Sequence, residues 1–167
     1  MAQRTLEQRL IFVNNLAIRR ATEELKSVSE FERLCRVLET AFLSNDFDGF
    51  ELRQSPPMHD GPGDRGLQIV TEGKADFYWK KAGRHFNPET VPAWRLTLDL
   101  VAANNCRRGS LTLYRLYAGG DLQLDINLLT SVFAATLADA LDRVHNRSLE
   151  ITALSGDKAL VAEARAS

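Results

Sequence analysis

Between Trp94 and Val101 the side chains alternate without a break: Trp94, Leu96, Leu98 and Leu100 fall on one side of an extended chain, and Arg95, Thr97 and Asp99 on the other. A period of two cannot wrap a helix; it requires a strand with one core face and one wetter face. Asn104 to Gly109 then reads as a turn, Leu111 to Tyr117 as a second strand, and the residues from Asp125 onward as a long helix. Two helical stretches precede the strands. Helices at both ends of a run of antiparallel strands predict an α+β domain, its central antiparallel sheet packed by N-terminal and C-terminal helices.

The first helix is expected over Thr5 to Leu25, because Leu6, Leu10, Val13 and Ala17 recur at spacings of three and four while Glu7, Arg9 and Arg20 lie elsewhere. Ser29 followed by Glu32 has the spacing of a capping box, which would start a second helix carrying Phe31, Leu34, Cys35, Leu38, Ala41 and Phe42 on one stripe. Asn45 and Asp46 end it, and Phe50 and Leu52 then alternate with Glu51 and Arg53 as in a short strand. Asp125 is placed as the N-cap of the last helix, whose stripe is Ile126, Leu129, Phe133, Leu137, Ala140 and Val144. Leu128, Val132 and Leu141 widen that stripe beyond what covering a sheet requires. Two compatible readings follow: deeper burial against the first helix, or a subunit interface.

Proline and glycine between Gln54 and Gly66 suit a surface loop. Leu67 to Thr71 and Ala75 to Lys81 are expected strands joined by a turn at Glu72, Gly73 and Lys74, and Ala82 to Pro92 a polar connection. The pattern weakens after Arg147, so the domain is expected over residues 1–146 and a tail over 147–167, with Leu149 to Leu154 and Ala159 to Ala166 as a short strand or a marginal helix.

The chain has 167 residues, 44% hydrophobic and 26% charged, enough for one core. Its 21 basic and 22 acidic residues leave a net charge of -1, which gives no field to draw nucleic acid or an anionic membrane. The opening residues carry Arg4, Glu7 and Arg9 and lack the apolar core of a secretory signal, and no later run is long enough to span a bilayer. Cys35 and Cys106 make neither a disulfide framework nor zinc-ligand spacing, so a cytoplasmic location is expected.

No catalytic constellation stands out. His59, His85 and His145 are too dispersed for a metal site, and His145, at the expected C-terminal end of the last helix, is explained by the macrodipole. Asp46, Asp48, Asp76 and Asp99 are spread over turns and strands, where turn chemistry accounts for them. Cys35 lies on an apolar stripe as a small core residue. Cys106 has Arg107 and Arg108 beside it, which favours a thiolate, but no general base or resolving cysteine is in view, and an exposed turn cysteine is the simpler reading. No catalytic residue, metal site or cofactor is therefore assigned. The most distinctive surface is aromatic and basic. Tyr78, Trp79, Arg84, His85 and Trp94 could line a cleft for a planar or anionic small ligand; alternatively Phe77 and Trp79 point into the core while Tyr78 and Lys80 alternate outward.

The succession of two helices, strands and a closing helix across residues 5–146 resembles a GAF-like domain. More narrowly, Ile18-Arg19-Arg20-Ala21, Asp46-Phe47-Asp48 and Leu124-Asp125-Ile126-Asn127-Leu128-Leu129-Thr130 resemble the cytosolic C-terminal extension of some bacterial polyprenyl-phosphate sugar-1-phosphate transferases, membrane enzymes of glycosyltransferase family 4 that load a sugar phosphate onto undecaprenyl phosphate for envelope polysaccharide synthesis. These are not catalytic motifs, and the chain lacks the membrane helices and aspartate-rich loops of the transferase itself. The resemblance therefore implies a noncatalytic regulatory or dimerisation module at the cytoplasmic face of the inner membrane, reaching the membrane only through an attached transferase part. A homodimer through the terminal helices is expected, using Leu6, Leu10, Val13, Leu128, Val132 and Leu141. The alternative is a free-standing GAF-like sensor of a small cytosolic ligand.

Overall fold

The computed structural model describes residues 2–55, 76–83, 92–116 and 122–165, with side chains from residue 5 to residue 153 of those segments. Helix α1 (Ala2–Leu25) and helix α2 (Phe31–Leu43) precede the strands β1 (Gly49–Gln54), β2 (Phe77–Lys80), β3 (Ala93–Val101) and β4 (Arg107–Leu116). One turn of helix, α3 (Ile126–Leu128), continues through a π-helical turn, Leu129–Phe133, into α4 (Ala134–Arg165). The strands form one antiparallel sheet in the order β2-β1-β4-β3. The strand expected at Leu67 to Thr71 and the turn at Glu72 to Lys74 lie outside the described residues.

Alternation decides which face of the sheet is core. Leu98 and Leu100 of β3, Leu111 and Leu113 of β4, and Phe50 and Leu52 of β1 are buried on one face, with Phe77, Trp79, Trp94 and Leu96 half-buried around them. The pattern of β3 is the one its sequence predicts. Against this face pack Leu34, Leu38, Ala41 and Phe42 from α2 and Phe133, Leu137, Leu141 and Val144 from the last helix, with Ile18, Ala21 and Leu25 of α1 joining the same core. Phe42 is its aromatic centre: its ring meets those of Phe47, Phe50 and Phe133 at centroid distances of 5.7, 5.5 and 5.9 Å. The other face carries Tyr78, Glu51, Tyr114, Arg95 and Thr97. There the Tyr114 hydroxyl donates to Glu51 at 2.9 Å, and the Arg95 guanidinium lies 5.6 Å from the Tyr114 ring centre. Within β4, where it pairs with Gln54 and Leu100, Gly109 has φ +144°, and a β-carbon there would collide with the Arg53 carbonyl of β1. Only glycine fits this close approach.

The structure departs from the sequence pattern at four points. The capping box does not form: the side chain before α2, Glu30, makes no cap hydrogen bond, Ser29 accepts from Arg147 at 2.7 Å, and Glu32 pairs with Arg36 at 2.8 Å. Ser29 is drawn to α4 instead of its own helix. The buried side of α1 is Asn14, Ile18, Ala21, Thr22 and Leu25, which is not the face of the apolar repeat Leu6, Leu10, Val13 and Ala17. Helix α4 passes Arg147 without a break and runs to Arg165, so the segment after Arg147 continues the helix. His145 consequently sits within the helix, away from its C-terminal dipole end, and its Nε2 is buried without a hydrogen-bond partner among the described residues. The Asp125 cap forms as read from sequence, Oδ1 accepting from the Asn127 amide at 3.0 Å.

Two measurements check this core. Phe42→Ala removes a fully buried ring from three aromatic contacts and is expected to cost about 3–5 kcal/mol in urea unfolding. Burial, reinforced by the Glu39 charge, pushes the Cys35 thiol up to about 11 from an ordinary 9.0. The folded chain therefore holds a proton that the unfolded chain releases: this contribution is whole below about pH 9 and is lost as pH rises toward 11. In matched titrations the wild type should lose stability relative to Cys35→Ala over that interval.

Candidate functional site

The first and last helices run side by side in the same direction, and polar side chains tie them at two levels. At the lower level Asn14 Nδ2 donates to the Gln123 carbonyl at 2.7 Å, and the Asp125 amide donates to Asn15 Oδ1 at 2.9 Å. At the upper level the Arg143 guanidinium donates to the carbonyls of Leu25, at 2.5 Å, and Val28, at 3.0 Å. Arg147 adds bonds to Ser29 Oγ at 2.7 Å and Glu30 at 3.2 Å. Carbonyls at a helix C-terminus have no intrahelical donor, and a cation there also meets the negative end of the macrodipole. Arg143 thus caps α1 from α4.

Two consequences follow from this parallel pairing. Helix α1 extends about 18 Å beyond Asn14 at the end where α3 begins, and α4 extends about 27 Å beyond Arg147 at the opposite end, by the rise of an α-helix. Along the α1 projection Leu6, Leu10, Ile11, Phe12 and Val13 are all exposed, Phe12 by 67%. Leu10 to Val13 are consecutive and turn through most of the helix circumference, so the last turn of the projection is apolar on nearly every side, while Glu7, Gln8 and Arg9 lie before it. An exposed apolar turn of that kind is normally enclosed. Where α1 does meet the domain, a groove of about 380 Å³ remains between Ile18, Arg19, Thr22 and Glu23 on one wall and Leu128 and Val132 on the other.

Of the residues expected at an interface, Leu6, Leu10 and Val13 lie on the projection, Leu128 and Val132 line the groove, and Leu141 is buried in the core at 2% exposure. Leu141 is thus committed within the chain. The three stretches that carried the family resemblance converge on one end of the fold: Ile18 faces Leu128 across the groove, and Asp46 accepts from the Gln123 amide at 2.9 Å. Their visible work is architectural.

Of the ligand residues, the described ones, Tyr78, Trp79 and Trp94, are not brought together. Trp79 is on β2 and Trp94 on β3, the two outer strands of the described sheet. Each is engaged in stacking, Trp79 on Phe50 at 5.4 Å and Trp94 on Phe47 at 6.2 Å. Tyr78 points to the other face with Lys80 above its ring at 5.0 Å, and Arg84 and His85 lie outside the described residues. The cations beside the exposed Cys106 are held by carboxylates, Arg107 by Asp99 at 2.6 Å and the buried Arg108 by Asp142. Asp48 accepts from the Leu116 amide at 2.8 Å and Asp76 from the Gln54 amide at 2.5 Å. Among the described residues no cluster of histidine, cysteine and carboxylate side chains could hold a metal ion, and no helix is long and apolar enough to cross a membrane. Sequence reasoning missed Asn14, Asn15, Arg143 and Arg147; two polar residues interrupting the α1 stripe were the available signal. No family model, curated protein or solved structure matches this chain.

Replacing the upper tie isolates its contribution. Arg143→Met keeps the aliphatic stem but removes both donors, and is expected to cost about 2 kcal/mol. Faster hydrogen exchange should be concentrated in the α1 amides after Asn14.

Proposed function

We propose that this chain is a noncatalytic dimerisation and relay module with a GAF-like fold. The observation that carries the reading is the exposed apolar turn Leu10 to Val13 of the α1 projection, followed along the same helix by an apolar groove. A second copy supplies matching surface for both. The polar ties to α4 give the module its mechanical character, because a force on the α1 projection reaches α4 through Asn14, Asn15 and Arg143 rather than through a loop. The sheet packed by helices from both ends supports the GAF-like assignment.

We further propose that the attached activity is that of a polyprenyl-phosphate sugar-1-phosphate transferase, on the strength of the three resembling stretches and their convergence at the start of α3. In that setting the module holds two membrane enzymes in a fixed arrangement at the cytoplasmic face and contributes no catalytic residue.

Sedimentation equilibrium tests the dimer directly. The full chain is expected at twice its monomer mass at micromolar concentration, and the triple variant Leu10→Ser, Phe12→Ser, Val13→Ser at monomer mass with an unchanged circular dichroism spectrum. A wild-type monomer at every concentration sinks the reading.

A further inference from the structure

Helix α1 carries an apolar segment without a cover and an apolar groove without an occupant, on opposite sides of Leu16. Ile11 and Phe12 project before it, and the groove between Ile18, Thr22, Leu128 and Val132 lies after it. The rotation of an α-helix places Phe12, Leu16 and Glu23 on the side turned away from Asn14, Ile18, Ala21 and Leu25, which face the core. A parallel two-fold pair would set projection against projection and leave both grooves empty. An antiparallel pair brings Phe12 of each projection to the other's groove, which is the self-complementarity that an isologous interface requires.

Charge selects the same arrangement. Arg9 stands seven residues before Leu16 and Glu23 seven after it. Antiparallel helices crossing at Leu16 therefore bring Arg9 level with the partner's Glu23, and by symmetry do so twice. Parallel helices would place Arg9 beside Arg9 and Glu23 beside Glu23. Within one copy Glu23 pairs with Lys26 at 2.7 Å, with 71% of its side chain exposed, and such a surface pair is weak enough to be exchanged for an intermolecular one. Phe12 meanwhile arrives beside Arg19 and Arg20, whose guanidinium groups can cover its ring.

We propose that a second copy of this chain docks antiparallel across α1, with the two-fold axis at Leu16, Phe12 at the partner's groove, and reciprocal Arg9–Glu23 pairs. This rests on the dimer reading above and adds its geometry. In the full chain, Arg9→Glu and Glu23→Arg should each raise the dimer dissociation constant about fivefold or more at low salt, and the double variant should return to within about twofold of wild type. A nitroxide at Gln8→Cys in a Cys106→Ser background gives a second readout. Sixteen residues of helical rise separate the two labels in the antiparallel pair, so their distance is expected at about 24 Å or more, whereas parallel helices would hold the labelled backbones roughly 10 Å apart. A dimer whose double variant is not restored, or whose labels lie at the short distance, overturns antiparallel docking and leaves dimerisation standing. A wild-type monomer overturns both.

Discussion

The arrangement of this chain depends on one cation. Arg143 of α4 donates to the carbonyls of Leu25, the last residue of α1, and Val28, three residues beyond it. The Leu25 carbonyl also accepts from the Val28 amide at 3.3 Å, so Arg143 adds a charged donor where the helical ladder ends and holds the end of α1 at one level of α4. The lower tie, through Asn14 and Asn15 to Gln123 and Asp125, fixes the direction. With both in place the two helices can only run parallel, and their free lengths must leave from opposite ends of the domain.

The π-helical turn serves the same alignment. An extra residue in that turn changes the azimuth of the helix before it relative to the helix after it. Leu129 and Phe133 are both fully buried across the turn, while Leu128 and Val132 remain toward α1 as one wall of the groove. Asp125 can then cap the helix and still present its amide to Asn15. The groove is thus a by-product of joining two helical registers, and its apolar lining is what the wide stripe of the last helix supplies. The part of that stripe represented by Leu141 went to the core instead.

Local periodicity was enough to read β3, the outward alternation of Tyr78 and Lys80, the stripe of α2 and the Asp125 cap, because each depends on neighbours a few residues away. Three features were not readable. Ser29 and Glu32 have capping-box spacing, but Arg147, more than a hundred residues later, takes the serine, and no local pattern reports that competition. On α1 the longest apolar repeat, Leu6 to Ala17, was not the docked face; a repeat shows that a surface must be covered, not what covers it. Asn14 and Asn15 break the repeat where the helix first meets its own domain, and polar residues inside an apolar helix are the trace such a tie leaves. The separation of the two tryptophans has a topological reason. Trp79 and Trp94 are near in sequence, yet β1 and β4 pair between their strands and put them at the two outer strands of the described sheet.

Two ties at separate levels also determine what kind of motion this pair of helices can carry. Sliding α1 along α4 by one turn would move the Leu25 and Val28 carbonyls about 5 Å from Arg143 and part both asparagines from their partners at once. Every polar group released would have to find water inside a partly buried seam, and the cost of leaving such groups unmade exceeds what a single hydrogen bond contributes when formed. Rotation of α1 about its own axis is opposed too, since it would carry Ile18, Ala21 and Leu25 out of the core. The low-cost displacement is therefore that of α1 and α4 together, as one body hinged where the projections meet whatever adjoins them. In the proposed dimer, two such bodies meeting along α1 would change their crossing angle rather than their internal packing, so a signal relayed through it would take the form of rigid-body rotation about the interface.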